Sequence, residues 1–389
     1  MTMHETMSAP SVAAATRTAR ANVPDDAVML RTAAEMTRDY STANPAIYWA
    51  DFLGSAVIGY AGLAGAIVLD SVPLVIACGL VAMLALYRAS SFIHELTHIR
   101  KGALPGFRLG WNLIVGAPLM IPSFMYEGVH TQHHARTRYG TANDPEYLPL
   151  ALMKPWSLPL FVVVAALAPV GLILRFGLLT PLSVIFPPLR TIVRERFSAL
   201  SINPAYTRRA PEGEFRRQWL WQEAGACLVA LALVGSVFAF GWRPLLTYMA
   251  IHSAMTVVNQ LRTLVAHLWE NEGEAMTVTA QYLDSVNVPP PGWWAEVWAP
   301  VGLRYHALHH LLPSVPYHAL PKAHRRMVDA LGPQSTYDRG NYRGMMPLLG
   351  KIARSTMGAR QRYSSVRKRT VSPTSRNRKK GAQAARKGG

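Results

Sequence analysis

Eighteen residues, Phe52 to Leu69, pass without one charged side chain. At about 1.5 Å of helical rise each they nearly span a hydrocarbon core about 30 Å thick. This limits the fold more than any other feature, because a backbone in lipid must pair its own polar groups and only helices or closed barrels do so. Tyr48 and Trp49 stand where interfacial aromatics belong. After Asp70 and Ser71 the apolar pattern resumes from Val72 to Leu86 and continues through Tyr87 and Arg88 to Ile93, so the two segments form a tight helical hairpin with Arg88 snorkelling at its inner end. A second pair runs from Trp219 to Gly241 and from Trp242 to about Leu261, and its second helix continues into the polar sequence Arg262 to Glu274. Four transmembrane helices in two hairpins are predicted.

Two further apolar stretches are interrupted. Leu109 to Met125 holds Pro118 and Pro122, and Leu158 to Phe186 holds Pro159, Pro169 and Pro181. Between Arg175 and Arg217 lie eight arginines, which the positive-inside rule assigns to the cytoplasm. With the N-terminus, 94–218 and everything after 262 on that side, the hairpins supply every crossing. The broken stretches are then re-entrant, interfacial or a helical hairpin of their own. The expected architecture is an all-α polytopic membrane protein with a cytoplasmic helical cap carrying a metal site. It divides into an N-terminal cytoplasmic segment (1–45), a membrane domain (46–335) and a basic, disordered tail (336–389).

Composition closes other routes. Only 16% of the residues are charged, against about 25% in an average soluble protein. The net charge of +18 is concentrated at one end: residues 351–389 carry thirteen Lys or Arg and no acid, leaving +5 on the rest. That argues against nucleic-acid binding and leaves the tail to dock an acidic electron carrier, lie on anionic lipid or stay disordered. Cys78 and Cys227 both sit in apolar runs, so neither a disulfide framework nor a thiolate metal site is expected. The first 45 residues lack the early apolar core of a secretory signal.

Histidine is the abundant chemical residue, and eight of the thirteen form three combs. His94 and His98 flank Glu-Leu-Thr; His130, His133 and His134 fall in His-Thr-Gln-His-His; His306, His309 and His310 fall in His-Ala-Leu-His-His. Offsets of three and four return to one face of a helix, so each comb aims its imidazoles one way. Eight aligned imidazoles exceed what one four- to six-coordinate ion uses, and the arithmetic points to two metals of the iron, copper, zinc and nickel group. All three combs fall on one side of the predicted membrane. His267, just beyond the last span, is a further candidate. His252, about 22 Å earlier on the same helix, is not, and neither are the isolated His4, His318 and His324. Glu95 and Asp144 are candidates to orient ligand histidines.

His94-Glu95-Leu96-Thr97-His98 also spells the His-Glu-x-x-His of zinc proteases, which makes an intramembrane metalloprotease a remote alternative. That reading leaves six comb histidines without a task.

From about residue 50 to 330 the pattern resembles the integral-membrane fatty acid desaturase family, which carries three histidine boxes. His94 to His98 is similar to the first box, His130 to His134 to the second and His306 to His310 to the third. His267 matches the additional histidine after the last membrane helix. Asn259 to His267, Leu283 to Asn287 and the Leu311-Leu312-Pro313 flank are similar to bacterial members. One departure is Thr263, where some acyl-CoA desaturases have asparagine. The resemblance implies a non-haem centre of two iron ions that uses O2, held by His94, His98, His130, His133, His134, His267, His306, His309 and His310. It also implies a separate ferredoxin- or cytochrome-type electron donor. The substrate would be the fatty acyl chain of a lipid, acyl-CoA or acyl-carrier, entering a tunnel lined partly from 109–125 and receiving a double bond. A hydroxylase or ketolase built on the same centre, acting on a sphingolipid, carotenoid or alkane chain, is the alternative.

Overall fold

The computed structural model describes residues 23–100 and 102–370. The protein is an all-α polytopic membrane protein. Helix α1 (Ala27–Tyr40) begins where Asp26 accepts from the backbone N–H groups of Val28 and Met29. Helix α2 (Pro45–Val68) begins where Asn44 caps Ala46 and Ile47, with proline in the first turn, where its missing N–H costs nothing. Helix α3 (Val72–His98) follows after a three-residue turn and packs along α2. Their closeness depends on glycine: a Cβ on Gly62 would lie 2.8 Å from the Cys78 carbonyl oxygen. Such small-residue contacts are how helices associate in lipid. Arg88 does not snorkel outward as expected. Its guanidinium forms a two-pronged pair with Asp51, at 2.6 and 2.7 Å, because Asp51 stands beside it on the facing helix.

The second hairpin joins α4 (Gly213–Phe240) to α5 (Arg243–Leu264), and α5 packs against α2, α3 and α4. Four helices are long and apolar enough to cross a membrane: Pro45–Val68, Val72–His98, Ala168–Ile185 and Gly213–Phe240. Their outer faces are apolar and bare, with Val57 67% and Phe238 92% exposed, as lipid-facing side chains are. The set differs from expectation at two places. Helix α5, predicted as a span, is not in it, because Arg243, His252, Asn259, Gln260 and Arg262 lower its hydropathy. Ala168–Ile185, from a stretch predicted not to cross simply, is in it.

The other broken stretch folds back. Phe107–Trp111 runs into a π-helical turn, Asn112–Gly116, and Met120 adopts a positive φ of 54°. Asn112 then accepts from the Ser123 N–H at 2.8 Å and donates to Ser123 Oγ at 2.9 Å, closing the loop beside its own start. Its aromatic residues do not line an open tunnel. Trp111 and Phe124 are fully buried in the main core, Trp111 donating to the Ala89 carbonyl and Phe124 stacked on Trp219. Arg175 is also buried, bonded to Ser198 and paired at 2.6 Å with Glu223.

The described parts of both terminal segments pack more than the sequence suggested. Met29, Ala33 and Met36 of α1 bury against Tyr305, Leu308 and Leu312 around the third comb. The tail boundary at 336 is too early: Tyr337, Leu348 and Ile352 are buried, and the Gly340 carbonyl and Tyr342 N–H bracket Asn287. The apolar residues Leu348 and Ile352, one helical turn apart, dock the start of Met345–Thr370. Residues 1–22 and 371–389, with the expected tail contacts and His4, lie outside the described residues.

Candidate metal centre

The nine predicted histidines converge. His94, His98, His130, His134 and His309 form one group, and His133, His267, His306 and His310 a second. Within each, one nitrogen per ring lies within 4.8 Å of all the others. The partition follows helix geometry. Each i, i+4 pair, 94/98, 130/134 and 306/310, stays together on one face. The i+3 members His133 and His309 cross to the other group, so the second and third combs each serve both. His134 and His310 stack with centroids 4.2 Å apart where the groups meet.

Four elements supply the rings. The first comb ends α3, which continues one turn past its apolar length. The second is a single turn, His130–His133, with His134 as its cap. The third is the short helix His306–Leu311, anchored where the Leu308 N–H donates to Asn287 Oδ1 at 2.9 Å. His267 follows α5 and is held by a bridge to Ser285.

Hydrogen bonds fix which nitrogen faces inward. His130 Nδ1 lies 2.9 Å from Glu146 Oε1, and His133 Nδ1 lies 2.9 Å from Asp144 Oδ2. His267 Nδ1 lies 2.9 Å from the Tyr139 hydroxyl, which donates to Asp284 Oδ2 at 2.9 Å. An acceptor at Nδ1 keeps the proton there and leaves the Nε2 lone pair free to ligate. Those lone pairs face one another, with Nε2 to Nε2 separations of 3.0 Å for His130 and His134, 2.9 Å for His267 and His306, and 3.2 Å for His310 and His306. Both nitrogens of His94 are buried without a partner. Opposed lone pairs at such distances need a cation or a shared proton between them, so the residues fit a pair of metal ions. The donors are all nitrogen, a set that suits iron, copper, zinc and nickel.

Electrostatics agree. Burial holds His130, His134, His267, His306, His309 and His310 well below the ordinary imidazole value, and neighbouring imidazoles add to it. The rings therefore stay neutral and ligand-ready. Burial also opposes charging of His133, but Asp144 outweighs it and raises that ring. Burial lifts Glu146 to about 7.

Asp144 stands where the sequence suggested. Glu95 does not: its carboxylate accepts from the Tyr48 hydroxyl and, at 3.1 Å, from the Tyr317 N–H, while its approach to His94 Nδ1 is 3.7 Å. It therefore orients no ligand histidine and is placed badly to activate water, which removes the geometric basis of the protease alternative. His252, His318 and His324 stay outside both groups. Sequence reasoning passed over Glu146, two residues beyond Asp144, and Tyr126, Tyr139 and Asp284, which no spacing rule ties to a distant histidine.

Comparison with known proteins agrees with this architecture. The family model described as fatty acid desaturase matches residues 70–341. A ceramide hydroxylase of Caulobacter vibrioides (strain NA1000 / CB15N) is 49% identical over 337 residues, which is 86% of this chain and 95% of that protein. No solved structure matches. With three histidine combs gathered into two nitrogen cages at the end of a helical membrane bundle, the chain belongs to the fatty acid desaturase family.

Proposed function

We propose that this protein is an O2-dependent membrane hydroxylase of a ceramide-type lipid. The observation that carries the reading is the 49% identity to a ceramide hydroxylase across 95% of its length. It favours the hydroxylase alternative over introduction of a double bond, since both outcomes draw on the same kind of centre.

The overall change inserts one oxygen atom into a C–H bond and reduces the other to water, consuming two protons and two electrons from an external ferredoxin- or cytochrome-type carrier. An unactivated C–H bond lies beyond any side-chain acid or base, and two iron ions would supply the O2 chemistry. The protein's own residues do the rest. The nine histidines would hold the ions; Asp144, Glu146 and the Tyr139–Asp284 pair fix ring orientation; the buried shell keeps water from competing. The exposed arginines Arg209, Arg216 and Arg217 support a cytoplasmic location for the histidine side.

The test is lipid mass spectrometry of a ceramide-producing host with and without the gene. Gain of one oxygen atom in ceramide supports the proposal, loss of two hydrogens restores the desaturase reading, and an unchanged lipid profile with iron-loaded protein defeats both. Iron assay on purified, active protein tests the metal's identity.

A further inference from the structure

Between Asp284 and Glu296 the chain carries no charged side chain. Within that stretch Pro290 to Trp294 are all exposed, Trp293 by 71% and Trp294 by 61%, and neither indole joins an apolar core among the described residues. The two rings meet edge to face, with centroids 5.5 Å apart. The loop that presents them is firmly built. Buried Arg304 donates from Nε to the Val288 carbonyl at 2.7 Å, from Nη2 to the Gly292 carbonyl at 2.9 Å and from Nη1 to Glu296 Oε1 at 3.0 Å, clasping both sides of the tryptophan pair. Arg304 stands two residues before His306, so the loop and the third comb share one support.

Although this segment lies well past the end of α5, it returns to the membrane bundle. The Tyr87 hydroxyl on α3 donates to the Trp298 carbonyl at 2.8 Å, and the short helix Ala295–Trp298 packs against α5. Tyr87 stands where the apolar part of α3 gives way to the Arg88–Asp51 pair, about 16 Å along the helix from His98. Leu84 and Leu80, three and seven residues earlier, continue its face of α3 and are exposed as lipid-facing side chains are. The loop therefore meets the end of a lipid-facing stripe, at the depth where hydrocarbon gives way to head groups. That depth suits tryptophan, whose ring enters the acyl layer while its N–H stays among polar groups. A bare, uncharged indole pair marks a surface that something covers, and the tether to α3 makes the bilayer that cover. We propose that Trp293 and Trp294 insert into the head-group layer of the membrane leaflet on the histidine side, pinning the support of the third comb to the bilayer. This holds whichever reaction the centre performs.

The full chain in phosphatidylcholine nanodiscs is the material for the test, and the fluorescence that wild type has beyond Trp293→Phe/Trp294→Phe reports the pair. Lipid brominated near the carbonyl end of its acyl chains is expected to quench that fluorescence about twofold or more, and aqueous iodide to leave most of it. Quenching by iodide as strong as by brominated lipid would place the pair in water. Quenching by neither would place it against protein, a second copy of the chain included. Either result overturns the proposal. Should the double variant fail to fold, Trp293→Phe and Trp294→Phe taken singly give the same comparison. Pinning is read by amide hydrogen exchange in the same nanodiscs: Trp293→Ser/Trp294→Ser should speed exchange across 288–306 several-fold with metal content unchanged. Exchange at the wild-type rate would overturn the link to the third comb.

Discussion

His133 and Asp144 meet in the interior with Nδ1 2.9 Å from Oδ2, both side chains shut off from solvent. Asp144 also accepts from the backbone N–H groups of Gly140 and Glu146, so the loop holds the carboxylate before the carboxylate holds the ring. Asp144→Asn removes the charge and leaves the loop bonds weaker. Loss of such a partner typically costs about 10–100-fold in metal affinity, and chelator competition should find that loss in the ion bound by the His133 group.

The two nitrogen cages predict separable metal stoichiometry. His267→Ala should lower bound metal from about two ions per chain toward one, and His98→Ala should do the same from the other cage. Elemental analysis checks this, and retention of the full complement in either variant contradicts two independent cages.

Glu95 is assigned a structural role. Glu95→Gln keeps the shape but removes the charge that accepts from Tyr48 and Tyr317. The expected result is unchanged metal content and a stability loss of about 1–3 kcal/mol, read by thermal unfolding in detergent. Selective loss of metal would return Glu95 to the centre.

Arg175 and Glu223 are both almost wholly buried, with Arg190 pairing to the second oxygen of Glu223. Glu223→Gln leaves the Arg175 guanidinium without its counter-charge. Breaking a buried pair this way costs about 3–5 kcal/mol, so a steep fall in melting temperature is expected, and a fall no larger than that of a surface substitution refutes the assignment.

Deletion of residues 1–41 removes α1 and uncovers Leu308 and Leu312 beside the third comb. The shortened chain should lose metal from the cage containing His306 and His310 first and should bind a hydrophobic dye more strongly than the full chain. Equal metal retention would show that α1 only covers the surface.

Helical arithmetic was legible in the sequence. Uncharged apolar runs made helices the means of crossing lipid, and offsets of three and four aligned the eight comb histidines, while His267 was marked by its place just beyond the last predicted span and by the family resemblance. The i, i+4 pairs even share a cage because that offset is local. The crossing of His133 and His309 between cages was not legible, since it depends on how three helix ends meet. Neither was Glu146 on His130, Tyr139 bridging His267 to Asp284, nor the displacement of Glu95 toward Tyr48 and Tyr317. Those contacts join residues from 16 to 222 positions apart. Periodicity reports which way a side chain points along its own helix; which partner stands opposite is decided only when separate elements pack.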